Sequence, residues 1–212
     1  MTVSVLSVSA RGSDEIAVTF EISEGELRQR ARFLLSSRAF ADLRLTVGEC
    51  DRSVFDAASE AAELYSAVKR GLFILGYGSC SKKDLCRRLV MKGIPREVAN
   101  AAVNELAADG FINERADAER EAERCVSKLW GRKKITAHLY NKGYSEEAVK
   151  GALYALEDSG VDFSELCAER LRRAYDSLPD DPKDIQRVMA ALARCGFSGS
   201  EIKTAMRIFK DE

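Results

Sequence analysis

The sequence predicts a mainly α-helical protein, a tandem array of three three-helix repeats behind a small N-terminal β-hairpin/helix (α+β) extension. Three observations carry this expectation. The segments 83–106 (KDLCRRLVMKGIPREVANAAVNEL), 131–156 (GRKKITAHLYNKGYSEEAVKGALYAL) and 184–209 (DIQRVMAALARCGFSGSEIKTAMRIF) each read as helix, break, helix. Relative to Gly93, Gly143 and Gly196, apolar residues recur at −4, +6, +10 and +13, and another follows each glycine directly (Ile94, Tyr144, Phe197). Those glycines lie 50 and 53 residues apart, a period that marks an internal repeat of small helical units. Residues 3–10 and 16–22, by contrast, alternate with period two.

Taken in order, residues 3–10 (VSVLSVSA) and 16–22 (IAVTFEI) read as strands, joined by the turn chemistry of Arg11-Gly12-Ser13-Asp14-Glu15. Residues 24–36 are expected to be a short helix, with Leu27, Ala31 and Leu34 on one face, and 43–47 a strand or a connection. From residue 54 onward the pattern is helical. Leu64, Val68, Leu72 and Leu75 form a stripe along 55–75, which Gly76-Tyr77-Gly78-Ser79 ends. Ser81 with Asp84, Ser145, and Ser198 with Glu201 supply the side-chain oxygens that cap helix starts. Further helices are expected near 114–129, 132–142, 146–158, 163–176, 183–195 and 199–210. The boundaries are then 1–55 for the extension and 56–112, 113–160 and 161–212 for the repeats. One such unit buries little surface, and stacked neighbours would supply the remainder.

Composition narrows the function. The 212 residues are 46% hydrophobic and 32% charged, with net charge −1, and no apolar run is long enough to span a bilayer. A chain devoted to gripping nucleic-acid phosphate is usually basic, and this one is balanced. The start, MTVSVLSVSARG, has no basic leader, so a cytoplasmic protein is expected. Six scattered cysteines form no CxxC, and His138 is the sole histidine, which argues for free thiols, no metal site and no cofactor. There is no phosphate-cradling loop, and no carboxylate pair stands apart from solvated helix faces, so no catalytic residues are assigned and no enzyme is expected.

Charge is nevertheless clustered. Residues 82–96 hold Lys82, Lys83, Arg87, Arg88, Lys92 and Arg96 against Asp84 alone. Residues 124–150 hold Arg124, Lys128, Arg132, Lys133, Lys134, Lys142 and Lys150 against Glu146 and Glu147. One such run is ordinarily a solvated face with local ion pairs. Two at equivalent repeat positions also fit an extended surface that lies along another polymer. Trp130, beside Gly131-Arg132-Lys133-Lys134, is either an interface anchor or a residue packed on the next helix.

The strings SKKDLCRRLVMKGIPREVANAAVNELAADGFIN and GRKKITAHLYNKGYSEEAVKGAL resemble two blocks of the RecX family of regulators of the RecA recombinase, with Gly131, Ile135, Leu139, Lys142 and Gly143 in place. The resemblance covers about 62–158 well and extends to 210 by spacing. Asp117 stands where the family has a phenylalanine, so the helix that carries it is expected to pack differently. The resemblance implies a non-catalytic, monomeric inhibitor that lies in the groove of the RecA–DNA filament and limits its growth and its recombinase and coprotease activity. Weak contact with single- or double-stranded DNA is the secondary expectation. The residues expected at the partner surface are Arg87, Arg88, Lys92, Trp130, Arg132, Lys133, Lys134 and Lys142. A helical DNA-binding module and a cytosolic helical-repeat adaptor are the alternative readings.

Overall fold

The structure, a computed structural model, describes residues 2–211. It divides into two compact units, residues 2–78 with 85–111 and residues 79–84 with 112–211.

In the first unit, β1 (Thr2–Ala10), β2 (Glu15–Glu24), β3 (Leu27–Ser36) and β4 (Gly48–Cys50) form an antiparallel sheet in the order β3-β2-β1-β4. The hairpin of β1 and β2 is as expected. Residues 24–36 are not a helix. Ala31, Phe33 and Leu35 turn toward the core at period two, with Leu34 and Ser36 also half-buried, while Leu27 is exposed. Local propensity for helix gives way to pairing. Gly25, at φ +62, opens a two-residue connection, and Arg28 and Arg30 reach Glu21 on β2 at 4.0 and 3.5 Å. The short helix falls later, as α1 (Ser37–Asp42), started by the Ser36 hydroxyl. The last strand also falls after 43–47, where Gly48–Cys50 pairs with Val3–Val5.

Helix α2 (Arg52–Leu75) lies on this sheet, with Phe55, Phe20 and Phe33 in mutual ring contact at 5.2–5.5 Å. The buried face of α2 is Phe55, Ala58, Ala67, Val68 and Gly71, so of the expected stripe only Val68 is buried. Small residues take that face because α4 (Arg96–Ala108) comes close. A Cβ on Gly71 would stand 2.5 Å from a Leu106 methyl. Helix α3 (Lys82–Met91) contributes Leu85 and Leu89, both fully buried.

The second unit holds α5 (Glu114–Val126), α6 (Arg132–Asn141), α7 (Glu146–Asp158), α8 (Phe163–Ala174), α9 (Pro182–Arg194) and α10 (Gly199–Lys210). Ile135, Leu139, Val149 and Leu156 join Ala118, Ala122 and Cys125 in one core. Val188, Leu192, Phe197 and Ile202 join Cys167, Ala168 and Leu171 in another. Asp117 on α5 is buried and ion-paired with Arg120 one turn on, so a carboxylate occupies that core position without being left unpaired. None of the six cysteines is in a disulfide. Among the described residues, no helix is long and apolar enough to cross a membrane.

The three repeat glycines close their helices identically. Gly93, Gly143 and Gly196 have φ of +85°, +85° and +95°, and the amides of Ile94, Tyr144 and Phe197 donate back to Leu89, Leu139 and Leu192 at 3.2–3.3 Å. This is the Schellman closure, which glycine makes without the Cβ strain of a left-handed backbone. In the second unit, two such turns also form joints. Twelve residues before Gly93 and Gly143 stand Ser81 and Gly131. The Ser81 hydroxyl donates to the Lys142 carbonyl at 2.7 Å. The Gly131 amide donates to the Cys195 carbonyl at 2.8 Å, and the Lys133 amide to the Gly196 carbonyl at 3.0 Å. In both joints the residue just before a turn glycine offers its carbonyl.

Candidate partner-binding surface

The most distinctive surface of the second unit surrounds the start of α6. Helix α5 ends in the same closure as the glycine turns, but Leu129 takes the left-handed place, at φ +55, and the Trp130 amide donates to the Cys125 carbonyl at 3.2 Å. A leucine adopts this strained backbone because its side chain is buried there, at 7% exposure. The turn delivers Trp130 half-buried onto the α5–α7 core.

Helix α6 then opens with Arg132, Lys133 and Lys134 and has no acidic residue in its first turn. Cations at a helix N-terminus oppose the helix dipole, an arrangement that costs stability. Two of the three are compensated within the chain. Arg132 pairs with Glu157 on α7 and lies over the Phe163 ring at 5.2 Å. Lys134 sits 4.3 Å from the centre of the Trp130 ring, which Lys128 also approaches at 5.4 Å. The side chain of Lys133 is exposed and has no ion pair among the described residues. Trp130 is thus packed on the core and against His138 of the next helix, the second of the two roles expected for it, with Lys128 and Lys134 over its ring.

Further along α6, His138 stacks edge-on against Trp130, with ring centres 5.2 Å apart. Its Nε2 lies 2.8 Å from Oε1 of Glu121, which Lys142 also reaches at 2.9 Å. Arg124 approaches the other carboxylate oxygen at 3.6 Å. Burial pushes the Glu121 carboxyl upward, but the hydrogen bonds from His138 and Lys142 outweigh it and hold its pKa below 4.5. Lys142 is therefore tied to a carboxylate while half its side chain stays in solvent. The Tyr144 hydroxyl nearby is pushed up to about 12 by burial, with Asp117 and Glu121 adding to it.

The structure thus brings Trp130, Lys134 and, through Glu121, Lys142 into one neighbourhood, with Arg132 turned to α7 and α8. Arg87, Arg88 and Lys92 belong to the first unit, where all three are exposed, on α3 and at its end. Sequence reasoning missed Glu121. A lone glutamate in a charged helix carries no signal until the packing of α5 on α6 sets it beside His138. The same packing places Cys125, one turn from Glu121, so that ligand atoms of Glu121, Cys125 and His138 lie within 4.8 Å of one another. Exposed Tyr140 and Tyr154 were also not anticipated, since an aromatic on a helix reads as core.

No family model matches the chain. It is 36% identical over 143 residues to Regulatory protein RecX of Xanthomonas campestris pv. campestris (strain B100), covering 66% of this chain and 85% of that protein. It is 30% identical over 146 residues to Regulatory protein RecX of Stenotrophomonas maltophilia (strain R551-3), covering 68% and 88%. Among solved structures, a crystal structure of regulatory protein RecX superposes with a TM-score of 0.74 at 23% identity, over 99% of this chain and 100% of that one. RecX from Lactobacillus salivarius superposes with a TM-score of 0.61 at 21% identity, over 71% and 98%.

Proposed function

This chain belongs to the RecX family of regulatory proteins, and from that premise we propose that it is a non-catalytic inhibitor of RecA in the cytoplasm. It binds along the groove of the RecA–DNA filament and opposes addition of further subunits, which limits recombinase and coprotease activity together. The observation that carries this reading is the first turn of α6. Three cations stand at the helix end where the dipole disfavours them, and among the described residues Lys133 has neither a carboxylate nor a ring to offset it. A local arrangement that costs stability without an internal return points to an external partner. An acidic face on a protein filament would supply that return. The net charge of −1 favours such a partner over the phosphate backbone of DNA alone.

The test is the ATPase activity of RecA on single-stranded DNA in the presence of this chain. Inhibition at well below one molecule per RecA subunit is expected. Lys133→Glu should weaken inhibition about tenfold or more while leaving the fold intact, because the side chain touches no ion pair that it would break. Lys150→Glu, whose cation already pairs with Glu146, should have a smaller effect. Unchanged inhibition by K133E would remove the α6 end from the interface. Absence of inhibition by the unaltered chain in excess would overturn the RecA reading.

A further inference from the structure

We infer that Glu121, Cys125 and His138 form a binding site for a divalent transition-metal ion of the zinc type, closed in the metal-free chain by the ammonium group of Lys142. Their ligand atoms lie within 4.8 Å of one another. The inference stands on the second unit alone and is independent of the RecA reading.

Four features support it. Glu121 and Cys125 are one turn apart on α5, so both project toward α6. His138 is the only histidine of 212 residues, and its ring is already oriented by Trp130, with Nε2 aimed at the carboxylate. Second, the donor set is an imidazole, a thiol and a carboxylate. Three such ligands and a water complete the tetrahedral shell of zinc, and sulfur with nitrogen selects against magnesium and calcium. Third, a cation already occupies the place. Lys142 Nζ lies 2.9 Å from the same Oε1 that His138 reaches, so the site is shaped around positive charge. Fourth, there is a route in. The side chains of Lys142 and His138 are 46% and 27% exposed, whereas Glu121 is 9% exposed, so withdrawal of Lys142 opens the carboxylate to solvent.

The exchange balances. The metal ion arrives as an aquo dication and sheds water. Cys125 Sγ gives up its proton to solvent and binds as thiolate, and His138 releases to solvent the Nε2 proton that it donates to Glu121, carries its remaining proton on Nδ1 and coordinates through Nε2. Glu121 keeps its charge, and the Lys142 ammonium moves into water. Arg124, at 3.6 Å from the second Glu121 oxygen, stays in place. Binding therefore releases one lysine cation to the surface that carries Lys134.

The experiment is a titration of the full chain with cobalt(II), read by absorption and by the fluorescence of Trp130, the sole tryptophan. One equivalent should bind, with a thiolate-to-cobalt charge-transfer band and tetrahedral d–d bands, and zinc should displace it. Cys125→Ser should abolish the charge-transfer band. His138→Gln, at a half-exposed position that spares the core, should weaken binding more than tenfold. Lys142→Met should tighten binding roughly tenfold, because a competing charge has been removed. No charge-transfer band at metal excess would overturn the site, as would a band retained by C125S, which would place the metal on another cysteine. Unchanged affinity in K142M would overturn the role of the lysine as the occupant.

Discussion

Replacing glycines in the second unit by alanine separates two costs that usually come together. Gly160 closes α7 at φ +83, and a Cβ there would meet nothing within 4 Å, so Gly160→Ala costs backbone strain alone, about 1–2 kcal/mol. Gly131 has an ordinary φ of −77, but its Cβ would stand 2.4 Å from the Gly196 carbonyl carbon and the Phe197 amide nitrogen. Those are main-chain atoms with no rotamer to escape into. Gly131→Ala therefore costs contact alone, about 1–3 kcal/mol or more. Gly196→Ala combines both, since φ is +95 and its Cβ would stand 2.4 Å from the Lys134 amide nitrogen, and should cost about 3–5 kcal/mol. Urea unfolding followed by Trp130 fluorescence reads this unit specifically, and all three variants should keep the wild-type dependence on urea while the midpoint falls. If G131A unfolds with the wild type, or G196A is no worse than G160A, the close joint between these two glycines does not exist in solution.

Two pH dependences follow from the α5–α7 core. The Glu121 carboxyl is held below 4.5 despite burial, so the unfolded chain takes up its proton first, and stability present above that value is lost as pH falls through the folded pKa. Urea midpoints between roughly pH 6 and 3 should fall less steeply for Glu121→Gln than for the wild type. At the other extreme, Tyr144 is raised from 10.0 to about 12, so its contribution is complete below pH 10 and is lost across that interval, at up to about 1.4 kcal/mol per pH unit. Tyr144→Phe should flatten the alkaline slope, and a slope unchanged by the substitution would mean that the phenol is not buried as described.

The helical array was legible because its signals are local. The positions at −4, +6 and +13 from each glycine depend only on helix period and turn closure, and most of them are buried as expected: Leu89, Ala99 and Leu106, Leu139, Val149 and Leu156, Leu192 and Ile202. Phe209, at the last position, is only half-buried. The extension was less legible. Residues 24–36 carry a helical spacing and a strand spacing at once, and only the long-range partner β2 decides between them. The stripe on α2 was misplaced because small residues, not leucines, mark a face where backbones approach. At the candidate surface, clustering of the cations was legible. Their partners Glu157 and Glu121 were not, since each lies on another helix at no fixed spacing from them.

The two joints of the second unit are made largely from main chain: carbonyls of Lys142, Cys195 and Gly196, amides of Gly131 and Lys133, and only one side chain, the Ser81 hydroxyl. A fastening of that kind records almost nothing of its neighbours in amino-acid identity. It asks for a small residue at one place, a turn glycine at another and the right count between them. Such a chain can drift through sequence space at nearly every other site, exchanging charges on α6 or thiols in the core, while the joints within the second unit stay put. That explains why the third copy of the repeat keeps the intervals of the first two but few of their letters. It also separates what can be tuned for a partner from what must be kept for the scaffold.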